Sequence, residues 1–215
     1  MIGEGIVQKP SNISFSDGDD VKLITGKSGE RLVSPLHGAL YYETYYGHLH
    51  HGYNTTPTAL PITTTTDPVF LLWNPYGSGV NVVLVHCLIG YDDGTNVDGS
   101  LFLGVLTNAG SSVQTGGVIS SCTAGPTING KIGDGINASR VKFCVSATLT
   151  NPATQFLTLG LSLMVLAKTG SASITLKEDF NGTVILTPGT AVFLCDSVAS
   201  VATYYQRLSW YEYPE

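Results

Sequence analysis

In RVKFCVSATL, residues 140–149, apolar side chains occupy Val141, Phe143, Val145, Ala147 and Leu149, while Arg140, Lys142, Cys144, Ser146 and Thr148 take the places between. A repeat of two residues marks a half-buried strand with one wetted face. FLTLGLSLMVLA repeats the arrangement, with Leu157, Leu159, Leu161, Leu163 and Val165 on one side and Thr158, Gly160 and Ser162 opposite. VNVVLVHCLIGY, residues 80–91, is apolar on both faces and predicts a central strand covered on each side. Further strands are expected at 69–73, 100–107, 113–120, 183–187, 191–195 and 203–211. Helical periodicity is nearly absent.

Between these runs lie NPYGSG, DDGTNVDG, NAGSS, TAGPTING, GDGINAS, TNPA, DFNG and TPG. Each places Gly, Asn, Asp or Pro where a backbone must reverse. Short strands punctuated this often predict an all-β protein, an antiparallel β-sandwich. A jelly roll is the expected form, because closing two sheets over one core hides most strand edges. Residues 1–60 differ: they lack long alternations and end in TTPTALPITTTTDP, where each residue before proline is biased toward extended backbone. The organisation expected is therefore an extended N-terminal arm of short hairpins and linker over 1–60, then a jelly-roll domain over 61–215.

Composition sharpens this picture. Charged residues make up 12% of the 215-residue chain, against about 25% in an ordinary soluble domain. Much of the surface is then either coated with neutral Thr, Ser, Asn and Gly or covered by partners. A net charge of −6, with the basic residues scattered, argues against nucleic acid, which must be bound by displacing counterions from phosphate. The most apolar windows are well short of the roughly 20 residues that span a bilayer, so no membrane partner is expected. MIGEGIVQKP shows no secretion-signal pattern. Cys87, Cys122, Cys144 and Cys195 are far apart and lie in or beside strands. Buried free thiols are the expectation, with disulfides unassignable from spacing alone.

The chemistry concentrates in YYETYYGHLHHGYN, residues 41–54, which holds five of the eleven tyrosines and three of the five histidines. Three readings compete. As a strand it would put His48 and His50 on one face, where two imidazoles could chelate a metal. HLH on a jelly roll resembles the first motif of cupins, but no glutamate follows within the expected few residues. Two imidazoles alone make a poor metal site. As a stacking platform the tyrosines would suit a glycan. As an interface they offer large contact area at low side-chain entropy cost, each with a hydroxyl to bond. An arm with no core must bury five tyrosines elsewhere, so Tyr41, Tyr42, Tyr45, Tyr46, His48, His50 and Tyr53 are predicted to form an assembly interface.

Other chemistry is thin. DDGTNVDG departs from calcium-loop spacing, since Gly94 falls where an oxygen ligand belongs, and it reads as a hairpin, as SDGDDVK at 16–22 reads as a turn. No GxSxG, phosphate loop or sequence-adjacent Cys–His pair is present. His86, in the apolar run, is expected to be a core histidine bonded to a backbone carbonyl. No catalytic residue, metal or cofactor is predicted.

Several segments resemble a group of tailed-bacteriophage virion structural proteins. The likeness begins in GERLVSPLHGALYYETYYGHLHHG and continues through PVFLLWNPYGSGVNVVLVHCLIGYDDGTNVDG. It closes with EDFNGTVILTPGTAVFLCDSV and LSWYEYPE. Together these cover well over half the chain, and their order carries the match more than any single motif. HLHHGYN departs from that pattern. The resemblance implies an all-β, jelly-roll protein that decorates or cements a capsid, often as a homotrimer, with no catalytic residues. The partners it implies are the major capsid protein or other virion proteins and copies of the chain itself. The location it implies is the virion, assembled in the host cytoplasm. The alternatives are a receptor- or glycan-binding module of a phage head or tail fibre and a divergent cupin-like metal-binding protein.

Overall fold

The computed structural model describes residues 40–95, 99–107, 118–132, 138–163 and 175–215. Among the described residues one short helix, α1 (Tyr41–Tyr45), leads into twelve strands. These are β1 (Leu49–Tyr53), β2 (Leu71–Asn74), β3 (Val80–Asp93), β4 (Gly99–Leu106), β5 (Ile119–Ala124) and β6 (Thr127–Asn129), then β7 (Lys142–Leu149), β8 (Gln155–Leu163), β9 (Thr175–Asp179), β10 (Ile185–Leu186), β11 (Thr190–Asp196) and β12 (Thr203–Pro214). They form two antiparallel six-stranded sheets. The first runs β10-β3-β12-β1-β6, with β9 also on β3; the second runs β5-β7-β2-β11-β4-β8.

The pairings nest from the chain ends inward. β1 lies on β12, β2 on β11, β3 on β9 and β10, and β4 on β8. The links between these pairs are β12 on β3 and β11 on β4. That is a long antiparallel ribbon rolled into two sheets, which is the strand order of a jelly roll. An excursion between β4 and β8 supplies β5, β6 and β7. Of these, β6 extends the first sheet beyond β1, while β7 and β5 extend the second beyond β2.

The core lies between the sheets and is filled by inward positions such as Phe70, Leu72, Leu84, Phe143, Leu194 and Trp210. Burying each such side chain contributes about 1.5–3 kcal/mol. The second sheet is also buried on its far face. Val192 and Leu194 of β11 point into the core, whereas Ala191, Phe193 and Cys195 join a second apolar cluster with Leu71 and Ala147. The double-sided covering expected for 80–91 is therefore found on β11. On β3 the alternate residues Val83, Val85 and Leu88 are only half-buried.

Two expectations need correction. Residues 40–60, assigned to the arm, belong to the compact unit Leu40–Glu215. The polar stretch LHHGY has little apolar content of its own, but it becomes a strand because β12 and β6 satisfy its backbone on both sides. Residues 1–39 of the expected arm lie outside the described residues, as do His37, SDGDDVK and much of the strand expected at 113–120. The thiols also divide: Cys122 on β5 and Cys144 on β7 are joined in a disulfide, their Cα atoms 5.5 Å apart, because the two strands are neighbours. Cys87 and Cys195 are free and buried, as expected.

Candidate interaction surface

α1 begins where the Thr44 backbone N–H and hydroxyl both donate to the Leu40 carbonyl, at 3.0 and 2.8 Å. It ends at Gly47, whose φ of +76° lies in the left-handed region that side chains with a Cβ disfavour. The chain then turns into β1. This corner presents a continuous run of rings: Tyr41 stacks on Tyr45 at 6.0 Å, Tyr45 meets Tyr46 edge-on at 5.5 Å, and Tyr46 stacks on His48 at 6.1 Å. His48 continues to Tyr213 at 5.6 Å and Tyr213 to Tyr211 at 6.0 Å. The run passes from solvent inward, since Tyr45 and Tyr46 are 55% and 60% exposed and Tyr211 is buried. Glu43 anchors it, accepting from His48 Nδ1 at 2.9 Å. Burial, and then Glu43 beside it, push the Tyr213 phenol up. The Lys131 ammonium sits 5.1 Å from the Tyr45 ring centre, a cation–π contact.

Beneath the corner lies a buried polar node. Glu212 accepts from the Ser139 hydroxyl at 2.5 Å, the Arg140 backbone N–H at 2.9 Å and the Trp210 indole N–H at 3.0 Å. His50 stacks on Trp210 and is 3% exposed; its Nε2 stands 3.8 Å from Glu212 Oε1, beyond hydrogen-bond reach. Burial holds its imidazole below the ordinary value, and Glu212 opposes that shift. His50 is also the wall between two hollows, of about 560 and 230 Å³.

On the opposite side of β1, His51, Ser209 and His86 face one another across β1, β12 and β3. His51 Nδ1 is 2.8 Å from Ser209 Oγ, which is 3.0 Å from His86 Nε2; Arg207 reaches the same Nε2 at 3.2 Å. Arginine can only donate, so His86 Nε2 accepts. Ser209 then donates to His86 and accepts from His51 Nδ1–H. This corrects the backbone-bonded core histidine expected at position 86, because β3 turns that side chain outward beside β12. A serine touching histidine invites comparison with a nucleophile, but Ser209 is fully buried within the row. It lines neither hollow.

The structure thus brings together Tyr41, Tyr45, Tyr46 and His48 from the predicted interface. Tyr53 stands at the far end of β1, opposite Arg207. Tyr42 lies in α1, with its side chain outside the described set. His50 is separated from the exposed rings by burial, so it cannot serve on the outer surface expected of it. Glu43, Lys131, Tyr211, Tyr213, Ser139 and Glu212 were not anticipated. The alternation in SWYEYP could have indicated the last group, since Trp210 and Glu212 share one face and Tyr211 and Tyr213 the other. Among the described residues no group of three His, Cys, Asp or Glu side chains could hold a metal, and no helix is long and apolar enough to cross a membrane. Comparison with protein-family models, with curated proteins and with solved structures yields no match.

Proposed function

We propose that this chain is a non-enzymatic structural protein of a bacteriophage virion, decorating or cementing the capsid. It contacts the major capsid protein and further copies of itself, as a homotrimer, in the assembled particle. The observation that carries this reading is the exposed corner of Tyr41, Tyr45 and Tyr46 on a rigid jelly roll. Rings already stacked on one another lose little freedom on docking, so most of the contact area they bring is retained as affinity. A chain with 12% charged residues also faces a low desolvation cost in a broad dry contact. The segments that resemble virion proteins support the same reading, and they include the corner itself.

The test adds purified protein to capsids that lack it and measures attachment by co-sedimentation. The double variant Tyr45→Ala/Tyr46→Ala removes two exposed rings and should melt as the parent does. Its attachment should weaken about tenfold or more. Attachment equal to the parent's, at unchanged stability, would overturn the proposal.

A further inference from the structure

The His50–Glu212 node has features that packing alone does not require. His50 is an imidazole 97% removed from solvent, given its 3% exposure. Among the described residues neither of its ring nitrogens makes a hydrogen bond, and the Glu212 carboxylate stands 3.8 Å from Nε2. Neither nitrogen is among the fully shielded polar atoms that lack a partner, so both open onto the hollows that His50 lines, where the polar groups of a ligand can reach them. A single water could bridge the gap, but the flanking spaces of about 560 and 230 Å³ far exceed one water's share of about 30 Å³. The larger falls within the ~300–1,000 Å³ typical of small-molecule sites.

The lining selects the ligand by charge. The Glu212 carboxylate on the wall of the smaller hollow disfavours an anion. Arg140 at that hollow disfavours a cation, while the Lys142 ammonium is drawn away over the Trp73 ring and leaves the larger hollow without a charged group of its own. His50 offers one N–H donor and one lone pair, since burial keeps it neutral. Ser139 and Thr127 add hydroxyls, while Val141 and Phe143 supply apolar wall. A ligand hydroxyl beside the gap can accept from the imidazole and donate to the carboxylate, which is a pairing neither residue makes with the other. A neutral, polyhydroxylated ring with an apolar C–H face matches every element of this lining.

We propose that the His50–Glu212 hollows form a binding site for a neutral carbohydrate, with His50 as the anchoring side chain. The site does not depend on the assembly reading, because no corner tyrosine lines either hollow.

The experiment is saturation-transfer NMR with titration calorimetry on the full chain. The probes are free glucose, galactose and mannose, with glucosamine and glucuronate as charged counterparts. At least one neutral hexose should bind saturably in the millimolar range, and the charged counterparts about tenfold or more weakly. His50→Gln should weaken the hexose about tenfold. Ala138→Trp, at an exposed residue on the wall common to both hollows, should block it without entering the core. Tyr45→Ala should leave it unchanged. Absence of saturable hexose binding, tighter binding of a charged counterpart, or undiminished binding by folded Ala138→Trp would each overturn the proposal. Loss of particle attachment by the tyrosine variant bears on the corner alone, so the two ideas fail separately.

Discussion

The row His51–Ser209–His86 is a directed chain of hydrogen bonds that requires the accepting His86 to be neutral, while burial and the nearby Arg207 charge keep His51 neutral too. A proton on His86 Nε2 would oppose the Arg207 guanidinium and displace the Ser209 proton. Burial first, then Arg207 and His86, push the His51 imidazole down to about 4; burial and Arg207 lower His86 as well. The unfolded chain takes up these protons near pH 6.5, whereas the folded chain resists until well below it. Stability should therefore be complete at neutral pH and fall as pH drops from about 6.5 toward 4. The His51 share is about 1–2 kcal/mol once its partial exposure is allowed for. Because Asp196 is raised by burial and works in the opposite sense, the informative quantity is a difference. Denaturant unfolding from pH 7.5 to 4 should show a shallower decline for His51→Gln than for the parent, and parallel declines would refute the mechanism. Glu212 is a second position where one atom matters. In Glu212→Gln one carboxylate oxygen becomes an NH₂ facing N–H and O–H donors, which should cost about 2 kcal/mol in the same assay.

β1 shows how far an element could be read from its own residues. Its inward positions are His50 and Gly52, neither apolar, so alternation gives no signal there and LHHGY passes for arm. The strand exists because β12 and β6 bond it from both sides, a property of distant sequence. By contrast the alternation of β7 and the continuous apolar run of β11 make their places in an all-β sandwich evident from the chain alone. Of the site, the exposed tyrosines were legible because tyrosine density survives any fold. Glu212 and Ser139 were not, since they lie 73 residues apart and meet only through the roll. Gly52 has its own consequence. A Cβ there would lie 2.7 Å from the Phe143 ring, and that ring is fixed between Phe70 and Trp210. Gly52→Ala should destabilise by about 1–3 kcal/mol in thermal or chemical unfolding; an unchanged midpoint would mean that the ring yields freely.

For the whole molecule, the nested pairing makes the ends of the described chain, β1 and β12, into central neighbours. A jelly roll built this way loses the middle of a sheet when its first strand is removed. A cut before Leu40 keeps every described element of the roll, so it should not disturb it, whereas a cut at residue 60 removes α1 and β1. Without β1, the Arg207–Tyr211 stretch of β12 keeps β3 but loses its other partner, β6 loses its one strand neighbour among the described residues, and the Trp210 ring loses the His50 imidazole stacked against it. Two truncations separate these effects. A chain starting at Leu40 should unfold cooperatively with a midpoint close to the parent's. One starting at Pro61 should lose cooperativity or fail to accumulate as folded protein, because the exposed edge of β12 invites pairing with other chains. Circular dichroism and size-exclusion chromatography would distinguish the two. A chain from Pro61 that stayed monomeric with the parent's midpoint would show that β1 is an accessory to the sandwich, returning residues 40–60 to the arm.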